Sequence, residues 1–155
     1  MLTSFFLRTI NNNIDYIEIA NRVKLLSNAN VRKWGRITLQ QMLVHCTAQL
    51  RLALGEITSH SQGSFMMRTA IGKWIAFSNI PWPKGSNTPN EMNIEKNVFS
   101  YTEIEAEKNE LLNYLEKVKS SATLKPHPFF GALSKREWGR LVYKHVDHHL
   151  KQFSQ

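Results

Sequence analysis

The residues best suited to chemistry in this chain are three histidines that fall within five consecutive positions. His145, His148 and His149 lie in the segment YKHVDHHLKQF, residues 143–153. Neutral imidazole nitrogens are good ligands for zinc, nickel, iron and copper. Side chains at positions i and i+4 of a helix share one face, so His145 and His149 can reach a single ion. The alternative is a pair of core histidines hydrogen-bonded to the backbone or to a glutamate.

A helical wheel separates the three histidines. At about 100° per residue, His145 and His149 fall in the middle of an apolar stripe centred on Trp138, and His148 falls on its shoulder. The stripe also holds Leu141, Val142, Gln152 and Phe153. The opposite side, which we expect to face solvent, carries Arg136, Arg140, Lys144, Asp147 and Lys151. The wheel therefore predicts that His145 and His149 point into the protein.

A third ligand is less well defined by the residues alone. His45 is the remaining histidine in a predicted helix, whereas His60 and His127 fall in loops. It lies beside the apolar stripe of its helix, in a polar strip with Gln41 and Gln49. Such a strip fits the wall of an internal cavity and fits an exposed surface equally well. The neighbouring cysteine of this helix falls on the apolar stripe and is expected to be buried and structural.

The elements that must position these histidines are predicted to be helices. Hydrophobic spacing and capping signals predict helices over residues 15–28, 38–54, 100–120 and 134–153, and a shorter one over 64–78 interrupted by Gly72. Thr38 with Gln41 and Ser134 with Glu137 have the spacing of capping boxes. No segment has the pattern of a strand. We therefore expect one all-α domain over residues 1–155, a bundle of four main helices with a short additional helix, whose loops at 56–100 and 121–133 form the mouth of a pocket.

Composition narrows the class of protein. The 155 residues carry a formal net charge of +8 and a single cysteine, Cys46, which suits a reducing compartment. No apolar run approaches the ~20 residues of a membrane helix, so we expect no membrane partner. The three-residue apolar cluster before Arg8 is too short for a secretory signal, so we expect a cytoplasmic protein. The basic residues are scattered, which disfavours nucleic acid. A non-catalytic protein that binds nucleic acid or another anionic partner through a basic surface is the second functional interpretation.

Three blocks of sequence resemble a known superfamily. KWGRITLQQMLVHC (33–46), HPFFGALSKREWG (127–139) and YKHVDHHLKQF (143–153) are similar to the DinB/YfiT-like superfamily of metal-binding helical bundles, and especially to a branch known only as a domain of unknown function. The resemblance implies a DinB-like four-helix bundle. It also implies a divalent-metal site formed by one histidine of the second helix and an HxxxH pair of the last, here His45, His145 and His149.

The resemblance further implies a class of activity. Related members include thiol-dependent transferases and isomerases and hydrolases, and homodimers are common among them. We therefore expect a metal-dependent hydrolase or thiol-dependent transferase that acts on a small molecule. Zinc is the first choice of metal, with nickel, iron or manganese as alternatives. A low-molecular-weight thiol is a candidate co-substrate. The sequence names neither the substrate nor a catalytic residue.

The ligand set itself limits the chemistry. Three histidine ligands leave a coordination position open, as in catalytic rather than structural zinc sites. Val146 stands where an HExxH motif has glutamate, so a metalloprotease of that type is excluded. Glu107 or Glu110 could hold a ligand ring by a hydrogen bond, but glutamates at such positions are more often simply solvated, and that is the expectation for both. Asp147 is expected to be an exposed helix charge.

Overall fold

Five α-helices form the regular structure of residues 7–155, the part of the chain that the computed structural model describes. They are α1 (Asn13–Leu25), α2 (Leu39–Leu54), α3 (Ala70–Phe77), α4 (Ile104–Ser120) and α5 (Lys135–Gln152). Two short 3₁₀ turns, at Phe65–Arg68 and Asn90–Met92, lie in the connections. Within residues 7–155 no strand forms, so the all-α prediction is confirmed. Phe5 and Phe6, in the apolar cluster considered for a secretory signal, lie outside the described residues.

The capping boxes fix where α2 and α5 begin. The Thr38 hydroxyl accepts a hydrogen bond from the backbone N–H of Gln41, and the Gln41 side chain accepts one from the N–H of Thr38. Ser134 and Glu137 form the same reciprocal pair at the start of α5. Each box satisfies N–H groups that a helix end leaves unpaired. Both predicted boxes are confirmed, and they define where the two helices that carry the histidines begin.

The four long helices pack against one another in a closed ring. α2 lies against α4 and α5, and α1 lies against the same two helices. Leu43 and Leu50 of α2, Leu115 of α4 and Val142 of α5 are fully buried between them. Each such side chain contributes about 1.5–3 kcal/mol by leaving water. None of the helices in the described part of the chain is both long enough and apolar enough to cross a membrane.

The short third helix starts later than predicted. Residues 65–68 form a 3₁₀ turn, and α3 begins only at Ala70. The break falls at Thr69, whose hydroxyl accepts the N–H of Gly72 and caps α3, because a threonine side chain can close a helix start more readily than it can continue the helix. Gly72 therefore lies inside α3 and does not interrupt it. Its missing Cβ leaves room for the carbonyl of Met66.

Two cations expected to face solvent are buried instead. Arg140 and Lys144 are each less than a tenth exposed. Lys144 Nζ donates to the carbonyls of Ala76 and Ser78, and Arg140 Nε donates to the carbonyl of Phe77. The last carbonyls of a helix have no partner within it, and α3 ends over this face of α5. The predicted basic flank of α5 is therefore not a continuous exposed surface.

Arg140 is predicted to be a major contributor to stability. Its guanidinium donates four hydrogen bonds, to the carbonyls of Arg8, Phe77 and Ser78 and to Asn79 Oδ1. Hydrogen bonds from a charged group contribute about 1.5–3 kcal/mol each, and they are not additive. We expect Arg140→Ala to lower the free energy of unfolding by about 3 kcal/mol, measured by urea denaturation. Arg136→Ala, on the exposed side of the same helix, should change it by less than about 0.5 kcal/mol; equal effects would contradict this assignment.

Candidate metal centre

The three predicted histidines converge on one point between two helices. His45 comes from α2, and His145 and His149 come from successive turns of α5. One ring nitrogen of each lies within 4.8 Å of the others, and Nε2 of His45 is 2.9 Å from Nε2 of His145. His45 and His145 are buried and His149 is partly buried. Three histidines that lie this close together could hold a metal ion.

The His45 ring is oriented by a backbone carbonyl. Its Nδ1 is 3.0 Å from the carbonyl oxygen of Met92, in the 3₁₀ turn Asn90–Met92. A carbonyl can only accept, so Nδ1 must carry the proton. In a neutral imidazole the other nitrogen then has a free lone pair, and this is Nε2, the atom that faces His145. Holding the second ring nitrogen in this way is a common feature of metal-binding histidines.

The His149 ring is oriented by Gln152. Gln152 Nε2 donates to the carbonyl of Trp34 at 2.9 Å, which turns Gln152 Oε1 toward His149 Nδ1 at 2.8 Å. Nδ1 of His149 therefore donates, and its Nε2 keeps a free lone pair. Gly35 follows Trp34 with φ of +78°, and a Cβ there would lie 2.6 Å from Gln152 Nε2. A glycine is thus required at this position for the amide to reach the carbonyl.

The His145 ring is held less tightly. Its Nε2 faces His45, and its buried Nδ1 has no hydrogen-bond partner within the described part of the chain. Because His45 presents a lone pair at 2.9 Å, His145 Nε2 carries the proton and donates to His45 Nε2. To bind an ion through Nε2, His145 would have to hold its proton on Nδ1, where no competing partner lies among the described residues. An unpaired buried nitrogen lowers stability by about 1–3 kcal/mol. The rest of the fold therefore holds His145 in place despite the cost of removing its Nδ1 from water.

All three rings are neutral near pH 7. Burial lowers the pKa of His149 to about 3, and it holds the pKa of His45 below its usual value. Burial, with the neighbouring imidazoles, lowers the pKa of His145 well below its usual value. Neutral imidazole is the form that binds metal. Ligand nitrogens of tetrahedral zinc lie about 3.3 Å apart, given Zn–N bonds of about 2.05 Å. The three neutral nitrogens therefore suit a divalent ion in donor type, and their separations, 2.9 Å for the His45–His145 pair and within 4.8 Å for all three, bracket the zinc spacing.

The histidines form part of the wall of a large cavity of about 910 Å³, a volume typical of small-molecule sites. Much of the lining comes from residues 64–92 and 127–130, as expected for the loops around the pocket mouth. The lining is largely apolar and aromatic, and Trp34, Trp82, Phe129 and Phe130 contribute to it. A molecule in this cavity would contact the histidine cluster on one side and apolar side chains on the others.

The other histidines and the cysteine lie outside the cluster. His148 lines the cavity, but its ring packs edge-on against Trp34 with the ring centres 5.6 Å apart. His60 is exposed. Cys46 is fully buried, as predicted, and burial raises the pKa of its thiol. The wheel's choice of the i, i+4 pair over His148 therefore agrees with the geometry of the cluster.

The carboxylates considered for the site serve other roles. Glu107 accepts from the backbone N–H and hydroxyl of Thr102 beside the start of α4, and Glu110 is exposed. Asp147, expected to be a free surface charge, is instead ion-paired with Arg22 and Lys151, and its side chain is only 18% exposed. The reason is that α1 packs against this side of α5 and brings Arg22 to it.

The groups that orient the rings were missed by sequence reasoning. Gln152 had one visible signal, since it is a polar residue on the buried stripe of α5, three positions after His149. Met92 had none, because it acts through its backbone carbonyl in an irregular turn, and any residue type provides a carbonyl.

Gln152 is predicted to control metal affinity. Replacing it by methionine keeps the size of the side chain but removes the acceptor for His149 Nδ1, so the ring loses its fixed tautomer and orientation. We expect Gln152→Met to weaken zinc binding about 10- to 100-fold, measured by competition with a chromogenic chelator. Lys151→Met, a matched change on the exposed face, should leave the affinity unchanged. An unaltered affinity in Gln152→Met would show that the amide does not support the ligand.

His127 is predicted to make the fold sensitive to acid. Its Nδ1 accepts from the backbone N–H groups of Phe129 and Phe130, and burial lowers its pKa from 6.5 to about 3. As the pH falls below about 6.5, His127 becomes protonated in the unfolded chain but not in the folded chain. The free energy of unfolding therefore decreases until the pH reaches about 3. This group accounts for about 2 kcal/mol of loss between pH 7 and pH 5.

His127→Asn tests this assignment. Asparagine keeps an acceptor for nearby backbone N–H groups but does not titrate. Urea denaturation at the two pH values should show that the variant loses about 2 kcal/mol less than the wild type. Equal losses in the two proteins would mean that His127 does not contribute to the acid sensitivity.

Comparisons with known proteins give a family but no activity. A family model described as "Protein of unknown function (DUF1569)" matches residues 12–155, which include all five helices and the three clustered histidines. No curated protein and no solved structure gave a match. Because the family match spans nearly the whole sequence, the chain belongs to the DUF1569 family of proteins of unknown function.

Proposed function

We propose that this chain is a divalent-metal-dependent enzyme that acts on a small molecule bound in the cavity beside His45, His145 and His149. The observation that carries the proposal is the convergence of three neutral imidazoles, two of which have their lone pairs aimed by fixed hydrogen bonds. Buried histidines that merely fill a core do not require their free nitrogens to meet at one point. The large cavity beside them provides the access that a purely structural site lacks.

We also propose that the fold is a four-helix bundle of the DinB/YfiT-like kind. The closed ring formed by α1, α2, α4 and α5 supports this, with α3 as the short additional helix. The arrangement of the cluster, with one histidine from α2 and an HxxxH pair from α5, agrees with the pattern expected for that superfamily. The sequence resemblance supports the same assignment independently of the contacts.

The residues around the site suggest how such an enzyme would work. A divalent ion held by His45, His145 and His149 would supply a Lewis acid at this wall of the cavity, and zinc is the first candidate, ahead of nickel, iron and manganese. The Met92 carbonyl and the Gln152 amide orient the His45 and His149 rings, and Trp34 and Trp82 form apolar parts of the cavity wall beside them.

Thiol-dependent transfer is our first choice of reaction. Among the described residues that line the cavity there is no aspartate or glutamate, so the chain provides no carboxylate base for the nucleophile. Coordination to zinc would deprotonate a thiol outright, whereas zinc-bound water keeps a pKa of about 7. A low-molecular-weight thiol as co-substrate therefore suits this cavity, and hydrolysis is the second choice.

Metal content is the direct test of the proposal. We expect tag-free wild-type protein, purified without chelator, to contain about one divalent ion per chain by elemental analysis. His145→Ala and His149→Ala should lose the ion while keeping their helical circular dichroism, and His60→Ala, at an exposed position outside the cluster, should retain it. Equal metal content in the His149 and His60 variants would refute the ligand assignment. A wild-type protein that takes up no ion even when divalent metals are added would refute the site.

A further inference from the structure

The short helix α3 has apolar side chains both on the side that packs against the protein and on the side that faces solvent. Phe77 is buried, and Ala76 packs against the core. Ile71, Trp74 and Ile75 share the opposite face by their spacing, and each is more than half exposed. A helix that is apolar on all sides is normally buried in a core or in lipid. The outer face of α3 therefore lacks a cover within residues 7–155.

The exposed face of α3 continues into the segments before and after the helix. The 3₁₀ turn Phe65–Arg68 packs against α3 and adds two exposed hydrophobic side chains, and the segment after α3 adds one more. Soluble proteins rarely expose large apolar patches, and those that do use them for binding. We call the following six residues the apolar face, each more than half exposed: Phe65, Met66, Ile71, Trp74, Ile75 and Ile80.

The apolar face borders the cavity that contains the histidine cluster. Met66, Ile75 and Ile80 line this cavity, and each of them is also more than half exposed to solvent. Residues that have both properties lie at the rim of the cavity. A surface that covers the apolar face therefore also lies against the mouth of the cavity.

The charges carried by this part of the chain are all positive. Residues 57–90 contain no aspartate or glutamate, and their cations are Arg68, Lys73 and Lys84. None of the ion pairs within residues 7–155 includes any of these three. The next carboxylate along the chain, Glu91, is half-buried and accepts a hydrogen bond from Gln62. The apolar face therefore lies in a segment whose positive charge is not neutralised.

An anionic lipid surface matches these features better than a second copy of the chain does. Aromatic and aliphatic side chains that enter the headgroup layer strengthen the binding of peripheral proteins, and so do basic side chains that meet anionic lipids. In a twofold dimer the same face of each copy meets itself. The cations of residues 57–90 would then face one another, and this segment has no carboxylate to pair with them.

From these observations we infer that the apolar face docks on an anionic membrane surface, with the mouth of the cavity turned toward the lipid. The expectation of no membrane partner rests on the lack of an apolar run long enough to span a bilayer, and docking on the surface needs no such run. The docking also requires no metal ion, so its test is independent of the test of the proposed function.

Co-sedimentation of the full-length protein with large unilamellar vesicles tests the docking. The probes are vesicles of phosphatidylcholine alone and vesicles that also contain phosphatidylglycerol as about a quarter of the lipid. We expect the wild type to bind the anionic vesicles at least about tenfold more tightly, and added salt to weaken this binding.

A double substitution on α3 tests the role of the apolar face. Ile71→Ser with Trp74→Ser should weaken binding to the anionic vesicles at least about tenfold, because two side chains that enter the headgroup layer are lost. Ile14→Ser with Ile17→Ser, a matched pair of exposed positions on α1, should leave binding unchanged. Ile80→Ser, outside α3, should weaken binding in the same direction whatever the double substitution does to the helix.

A single substitution tests the role of charge. Lys84→Gln should weaken binding to the anionic vesicles about fivefold. Lys24→Gln removes an equally exposed lysine from α1 and should change binding less than about twofold, because salt screens distant charges. Equal effects of the two substitutions would contradict the orientation.

The α3 double variant separates docking from adsorption by charge. It keeps every charge, so binding equal to that of the wild type would mean that the chain, with its formal net charge of +8, adsorbs by charge alone, and this would overturn the docking. A wild type that does not bind the anionic vesicles would overturn it as well. If sedimentation velocity then shows a wild-type dimer that the α3 double variant does not form, the apolar face belongs to a second copy of the chain.

Discussion

The structure depends on bringing three imidazoles out of water to one point while keeping them neutral. Removing an imidazole from water disfavours its charged form, and three rings whose centres lie 4.8–4.9 Å apart would repel one another if protonated. The contact between α2 and α5 fixes where the rings lie. The carbonyl of Met92 and the amide of Gln152 then determine how two of the rings are turned. Helix packing gives position, and irregular segments give orientation.

The part of the site that could be predicted from sequence is the part set by helical periodicity. His145 and His149 lie on the buried stripe of an amphipathic helix, and the capping boxes at Thr38 and Ser134 define the helix starts almost to the residue. His45 could not be decided this way, because it lies beside its apolar stripe and not within it. Its inclusion depended on the resemblance of whole sequence blocks, and the structure places it with the other two.

The part that could not be predicted comes from contacts between segments far apart in sequence. A helical wheel assigned Arg140 and Lys144 to solvent because it represents one buried face of α5. The helix is in fact covered on a second face, where the end of α3 presents carbonyls that only long cationic side chains can reach. Asp147 is drawn inward by Arg22 of α1 in the same way. Such pairings follow from how distant segments pack against one another. The spacing of residues within a single segment gives no information about these contacts.

Met92 links the shape of the cavity to the state of the site. Its carbonyl fixes the proton of His45, and the same residue is part of the cavity lining. A movement of this turn away from the cavity would also remove the acceptor from His45, so the ring would become free to rotate or to exchange tautomers. A widening of the cavity on this side would therefore also loosen the His45 ring. The orientation of His45 therefore depends on the position of the turn Asn90–Met92.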